Sequence, residues 1–413
     1  MNTTPLEDRV HDGLHRRVDP IQHSPLSVTD VRTRARRIQR RRTMAAGAAV
    51  AAVLAIAVPV GLTVWGPAQR SGVEPAAPPS TPVVTGTVLI DPRSAEVGEE
   101  LPLPLINLDA PSIIVGDETT KLPHDYSQLT PYLDGWTGLA EADTAEGWIS
   151  TVHVLDAELR VIEEVTQATE LAVSPDAGRL AWAWYDGTRW IVVDRAADGS
   201  REERQIPMAP GPQEETLRAM GFLPDDGIVL ARTDPSTGRQ TMLVLSPDGR
   251  TTALPGFIRA GATDAAGGLV SGQTSFSGDG SCWKVVDTTT GGEGTTVWET
   301  CDYSLVAFSP DGEHVVGLTD YLTPDGSPTL AVLDAATGEP VVDFELVGSR
   351  TGVVGINPEM VWQDVETLVT TAVTGGRQYV VRLGLDGSVE RIDIDSPDLQ
   401  PGDIALKLAA ATS

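Results

Sequence analysis

A strand-rich unit recurs at a period of roughly 40–50 residues along the C-terminal part of this chain, and no other feature limits the fold as much. "LAVSPDAGRLAWAWYDGTRWIVVDRAADGSREERQI" (171–206) reads as four short strands joined by turns, and so does "LVAFSPDGEHVVGLTDYLTPDGSPTLAVLDAATGEPVVDFEL" (305–346). Stretches at 219–257, 263–301 and 361–394 share the layout, and a weaker one covers about 132–166. In "RLAWAWY", Leu180, Trp182 and Trp184 share one face while Ala181, Ala183 and Tyr185 share the other. Neither face is polar, which suits a small sheet covered on both sides by its neighbours. Four-stranded sheets repeated radially make an all-β propeller of six or seven blades. Six units are readable, and a seventh can be assembled from "TGTVLID" and "SIIVGD" near the start with "DIALKLA" at 403–409.

The tetrapeptide "SPDG" stands at 246–249 and 309–312, with the variants "SPDA" at 174–177 and "TPDG" at 323–326. It falls between a unit's first and second strands at 174–177 and 309–312, between the second and third at 323–326, and between the third and fourth at 246–249. A repeated catalytic aspartate would hold one position. A tight turn would not, and Pro, Asp and Gly each favour one place in such a turn.

The N-terminal part is different in kind. The net charge is −28, yet residues 1–43 carry ten Arg against five acids, which makes them +5 and leaves −33 for the rest. "MAAGAAVAAVLAIAVPVGLTVW" (44–65) holds no charge and is long enough to span a bilayer as a helix. "RARRIQRRR" precedes it, so residues 1–43 are expected in the cytoplasm and the acidic body outside. A cleaved export signal fits less well, because its apolar region is shorter and its charged region is not this long. Residues 66–82 form a Pro- and Ala-rich linker, and 83–413 the extracytoplasmic propeller. The acidic body excludes nucleic acid as its partner, since phosphate binding needs clustered cations.

In the head, "TPLE" (4–7) reads as a capping box, and Leu6, Val10, Leu14 and Val18 then form a narrow apolar stripe on a short helix. That stripe is a candidate docking face for a cytosolic partner; lying on the membrane surface is its rival use. "HDGLH" (11–15) has the spacing of a degenerate zinc-protease motif, but it lacks the Glu and an enclosing domain.

Cys282 and Cys301 flank the hairpin "CWKVVDTTTGGEGTTVWETC". Folding it about "TGGE" sets Cys282 opposite Cys301, Val285 opposite Trp298 and Val286 opposite Val297. A cross-strand disulfide is expected outside the membrane; two free buried thiols are the alternative. "SGDGS" (277–281) sits at a strand–strand turn, so it lacks the helix a phosphate cradle needs. "LPDDG" (223–227) lacks the alternating ligands of a Ca²⁺ loop. The Trp residues of 182–190 are expected to pack between blades in preference to forming a sugar platform. His124, His153 and His314 pair with no nucleophile on sequence grounds, and no cofactor or metal site is expected.

The "SPDG" and "D-x-x-T-G" units resemble those of TolB-like and WD-repeat-like β-propellers over roughly 130–394. Composition and the layout of residues 1–65 resemble actinobacterial single-pass regulators that accompany sigma factors, although the His–Cys–Cys zinc motif of one anti-sigma group is absent. These features imply a membrane-anchored, non-enzymatic propeller that binds a protein or cell-envelope ligand. The alternatives are a transmembrane, anti-sigma-like regulator working through its head, and an envelope hydrolase or lyase.

Overall fold

Short Val-, Ile- and Leu-rich runs punctuated by Gly, Asp and Pro fold here as strands and tight turns. The computed structural model describes residues 86–409 except 102, 117, 145–146, 197–202, 211–214, 278–279, 291, 320–325, 349–353, 395–398 and 400–403. Every regular element among the described residues is a strand. No helix among them is long and apolar enough to cross a membrane. The head, the 44–65 span and the 66–82 linker lie outside the described residues, and with them Leu6, Val10, Leu14 and Val18.

Thirty strands build seven sheets among the described residues. In chain order they begin with β1 (Thr87–Ile90), β2 (Glu96–Val97), β3 (Leu105–Asn107), β4 (Ser112–Val115) and β5 (Glu118–Lys121). Blade 2 holds β6–β9 (Tyr126–Tyr132, Gly135–Thr144, Gly147–Leu155, Val161–Thr166), and blade 3 holds β10–β13 (Leu171–Val173, Arg179–Tyr185, Arg189–Ala196, Arg204–Pro210). Blade 4 holds β14–β17 (Thr216–Phe222, Ile228–Thr233, Gln240–Leu245, Thr251–Leu254), and blade 5 holds β18–β21 (Arg259–Thr263, Leu269–Ser277, Gly280–Asp287, Thr295–Thr300). Blade 6 contains β22–β25 (Ser304–Phe308, His314–Leu318, Thr329–Asp334, Pro340–Leu346). Blade 7 contains β26–β29 (Val354–Trp362, Thr367–Thr374, Arg377–Gly384, Val389–Ile392). The last strand, β30 (Leu406–Leu408), returns to pair with β3 and completes blade 1 in the order β30-β3-β4-β5. First strands of consecutive blades touch one another, so they line the axis.

The propeller therefore has seven blades, closed by one C-terminal strand beside three N-terminal ones. "SIIVGD" and "DIALKLA" do share the closing blade, but "TGTVLID" does not join it. Its strand β1 runs parallel to β25 on the outer edge of blade 6, with Thr87 beside Asp343 and Ile90 beside Leu346. β2 adds in the same way to β29 of blade 7. The proline-flanked "LPLPLINLD" supplies β3 instead. Ile90 explains the placement of β1, because its side chain is swallowed by the core between blades 6 and 7. The weak unit at 132–166 is a full blade that begins at Tyr126.

Each seam between blades has its own apolar cluster, and seven clusters close the circle. In β11, Leu180 and Trp182 face blade 2, while Ala181 and Ala183 face blade 4 and leave room there for Leu217, Phe222 and Leu230. Trp182 and Trp190 are buried, and Trp184 is half-buried against the same seam as Trp182. These rings pack blades together and leave no sugar platform.

The repeated turns at 174–177, 246–249 and 309–312 bear out their reading, while 323–325 of "TPDG" lie outside the described residues. At 309–312 the Ser309 hydroxyl donates to Asp311 at 2.6 Å, the Ser309 oxygen accepts the His314 amide, Asp311 accepts the Glu313 amide, and Gly312 takes φ +73°. Ser174 and Asp176 repeat the pattern.

The disulfide forms: Cys282 and Cys301 are bonded, with Cα atoms 3.9 Å apart. Val285 faces Trp298 as expected. Val286, however, faces Thr296, because a bulge takes Val297 out of register. Closing a loop of this size constrains the unfolded chain by about 3 kcal/mol. Reduction, or a double Cys282→Ser/Cys301→Ser change, should lower unfolding stability by about that amount in urea titrations. Equal midpoints with and without reductant would remove the disulfide from the stability of blade 5.

Candidate ligand site at the propeller hub

The first strand of every blade runs along the axis, so residues at one level of these strands meet in a ring. The level can be counted back from the turn between first and second strands. That turn starts at Ser174, Leu223, Asp264 and Gln363 in blades 3, 4, 5 and 7. Four or five residues earlier stand Glu170, Arg218, Arg259 and Glu359. Blades 1 and 2 contribute Lys407 and Ser127 near the same level. All six are half-buried.

Glu359 reaches the hub through an irregularity. Register in β26 shifts between Ile356 and Met360, and the bulged backbone is held by the Asn357 side chain, which accepts the Glu359 amide at 3.0 Å. The Thr370 hydroxyl bonds the Asn357 carbonyl from the next strand. Glu359 then meets the Lys407 ammonium at 2.8 Å. Lys407 also donates to the Ser127 carbonyl at 2.6 Å. One side chain on blade 1 thus touches blade 7 and blade 2, which only a hub position allows.

A second ion pair joins Arg218 to Glu170 at 3.0 Å, across the seam of blades 3 and 4. In a seven-membered circle this seam lies across the axis from the seam of blades 7 and 1. Arg259, on blade 5, stands between the two pairs on one side. Among the described residues, the side chains named at this level are three cations and two carboxylates, inside a strongly acidic body. Side chains in the two pairs are 14–16 % exposed, so their fields are less screened than those of surface charges. Such a ring can hold a ligand carrying charges of both signs by hydrogen bonds.

None of the hub residues was singled out from the sequence. The usable signal was the distance from the "SPDG"-type turn, once that turn is assigned to the first and second strands. Asp226 of "LPDDG" is bonded to Arg179 at 2.7 Å, so this turn is held by a protein cation. "SGDGS" is the tip of the β19–β20 hairpin, with Ser277 opposite Gly280. His153, unpaired on sequence grounds, shares a hydrogen bond with Tyr126. "HDGLH" lies outside the described residues.

The chain matches no family model, and no curated protein matches it. Solved structures resemble it at low identity. The β-propeller domain of the Trilobed protease from Pyrococcus furiosus is 12% identical over 67% of this chain and 85% of its own, with a TM-score of 0.46. Apo prolyl oligopeptidase B from Galerina marginata is 14% identical over 68% of this chain, with a TM-score of 0.49, and this chain spans only 43% of it. The Cps50 (Swd1) β-propeller domain from Myceliophteria thermophila is 12% identical over 66% of this chain and 88% of its own, with a TM-score of 0.43. These likenesses concern the propeller fold alone.

Proposed function

We propose that this chain is a non-enzymatic ligand-binding propeller, carried outside the membrane on its 44–65 span, which takes a protein or cell-envelope ligand at the hub. One observation carries the reading. Charged side chains from five blades converge at one level of the axis, with Ser127 of a sixth beside them, and the convergence of polar groups in a concave place is what a binding site requires. The −33 body would repel anionic bystanders, while the hub's Arg and Lys side chains offer hydrogen bonds to an exposed acidic group of the ligand.

Solubilised envelope material passed over the full-length protein should yield a bound fraction that falls about tenfold with Arg259→Glu. The melting temperature of each protein is recorded alongside, and capture is compared under conditions where both are fully folded. Equal capture by both proteins rejects the hub. Turnover of envelope peptides or glycans by the purified protein rejects the non-enzymatic reading.

A second use of the molecule rests on the stripe Leu6, Val10, Leu14 and Val18. We read it as a dock for a cytosolic partner, which would make the protein a transmembrane regulator. Capture from cytosol that disappears with Leu6→Asp/Leu14→Asp supports it, and capture indifferent to these changes removes it.

A further inference from the structure

Blades 1 and 2 meet at a seam containing two histidines and a buried tyrosine. Tyr126 opens β6 and is 1% exposed. Its ring crosses the blade over Gly138, where a Cβ would come within 2.7 Å of it. That gap lets the phenol oxygen reach Nδ1 of His153 on β8 at 2.9 Å. His153 is 3% exposed. His124, on the connection from blade 1 to blade 2, stands edge-on to the His153 ring with centroids 4.6 Å apart. On the blade 1 side Tyr126 packs against Ile106, Ile113 and Leu122, which offer no polar group to a new charge. On the blade 2 side Glu164 is the cross-strand neighbour of His153, and the Glu141 amide bonds the carbonyl of Asp125, between His124 and Tyr126. Lys407 of the closing strand is tied to the carbonyl of Ser127, the residue after Tyr126.

We infer that this seam is an acid-sensitive joint of the ring, opened when His153 takes up a proton. Neutral His153 can accept the Tyr126 hydroxyl at Nδ1. The imidazolium cannot, since both its nitrogens are donors; it could only donate to the phenol oxygen, which leaves the buried Tyr126 O–H without its acceptor. It would also lie buried beside the His124 ring and against the apolar residues of blade 1. Burial, and the neighbouring His124, hold His153 below the ordinary histidine range, while Glu164 opposes them weakly. Opening exposes the ring and returns it to ordinary histidine behaviour. The open form therefore binds a proton that the closed form refuses. As pH falls below about 6.5, the open population rises by up to tenfold per unit through the release of His153. Above that range the joint is closed. Because Lys407 shares this seam, opening also loosens one side of the hub.

Hydrogen exchange on the full-length protein tests the joint. Between pH 7.5 and 5.5, protection factors of amides in β3, β6 and β8 should fall about tenfold, while those of blades 4 and 5 hold steady. His153→Gln keeps an acceptor for Tyr126 and cannot charge, so its protection should be flat with pH. His124→Gln alters an exposed residue only, leaves the buried pair intact and should reduce the wild-type fall. Uniform loss across all blades, no loss at the seam, or a full loss retained by His153→Gln overturns the joint.

Discussion

Gln378→Leu should destabilise the propeller by about 3–5 kcal/mol, because one buried side chain fastens the strand that closes the ring. Gln378 lies on β28 and is 1% exposed. Its Oε1 accepts the amides of Ala405 and Leu406, each at 2.9 Å. Its Nε2 donates to the Leu406 carbonyl at 2.7 Å and to the Thr371 hydroxyl at 2.9 Å. The amide side chain thus stands in for a peptide group across the seam of blades 7 and 1. Leucine matches its bulk but answers none of these groups, and each buried polar group left unmatched costs about 1–3 kcal/mol. Since β30 has only three residues, its other ties are few: pairing with β3, burial of Leu406 and Leu408 in the seam, and the Lys407 contacts. Urea unfolding gives the stability loss, and exchange of the Leu406 amide should accelerate before that of blade 4. A change below about 1 kcal/mol would show that closure does not depend on the glutamine.

Asp194→Ala should cost a similar amount, about 3–5 kcal/mol, for a different reason. The Asp194 carboxylate is buried and receives two guanidinium groups, Arg179 at 2.9 Å and Arg204 through its Nε at 3.0 Å. Arg179 continues to Asp226 of blade 4 at 2.7 Å and lies 4.6 Å over the Phe222 ring. Arg204 reaches the Pro247 carbonyl, also in blade 4. Removing the carboxylate leaves the largely buried Arg179 with only its outer partner and two cations close together. Asp194→Asn keeps part of the hydrogen bonding and should cost less than alanine. If the two variants unfold at the same urea concentration, the whole loss lies in the missing charge and neutral hydrogen bonding contributes nothing to this seam.

The propeller fold, six of its blades and the turns at 174–177, 246–249 and 309–312 could be read from the chain because they depend on local chemistry repeated many times, whereas the choice between six and seven blades stayed open. Pro, Asp and Gly in fixed order, and apolar runs of even length, act within a few residues. The disulfide pairing was readable for the same reason, since both cysteines belong to one hairpin. What escaped depends on distant partners. β1 pairs with residues more than 250 positions away in the chain, and nothing in "TVLI" names them. The recurring aspartates of "VVDRAADGS", "VVDTTTGGE" and "VLDAATGE" look alike, but Asp334 and Asp287 cap their own turns whereas Asp194 gathers two arginines. Tyr126 and His153 are 27 residues apart and meet only because Gly138 leaves the path between them empty. The hub residues sit on separate blades and have no shared motif, so they emerge only when the blades are set in a circle.

The strands β1 and β2 also decide how the propeller would carry mechanical load. Tension arriving through the chain before Gly86 meets the outer rim of blade 6 first, then that of blade 7, and only afterwards β3 and the closing blade. Four paired residues and then two must peel away before the ring itself is strained. The rim strands therefore act as a fuse in series with the closure: they yield first, lengthen the leash by the segment 87–97, and leave the seven-bladed ring intact.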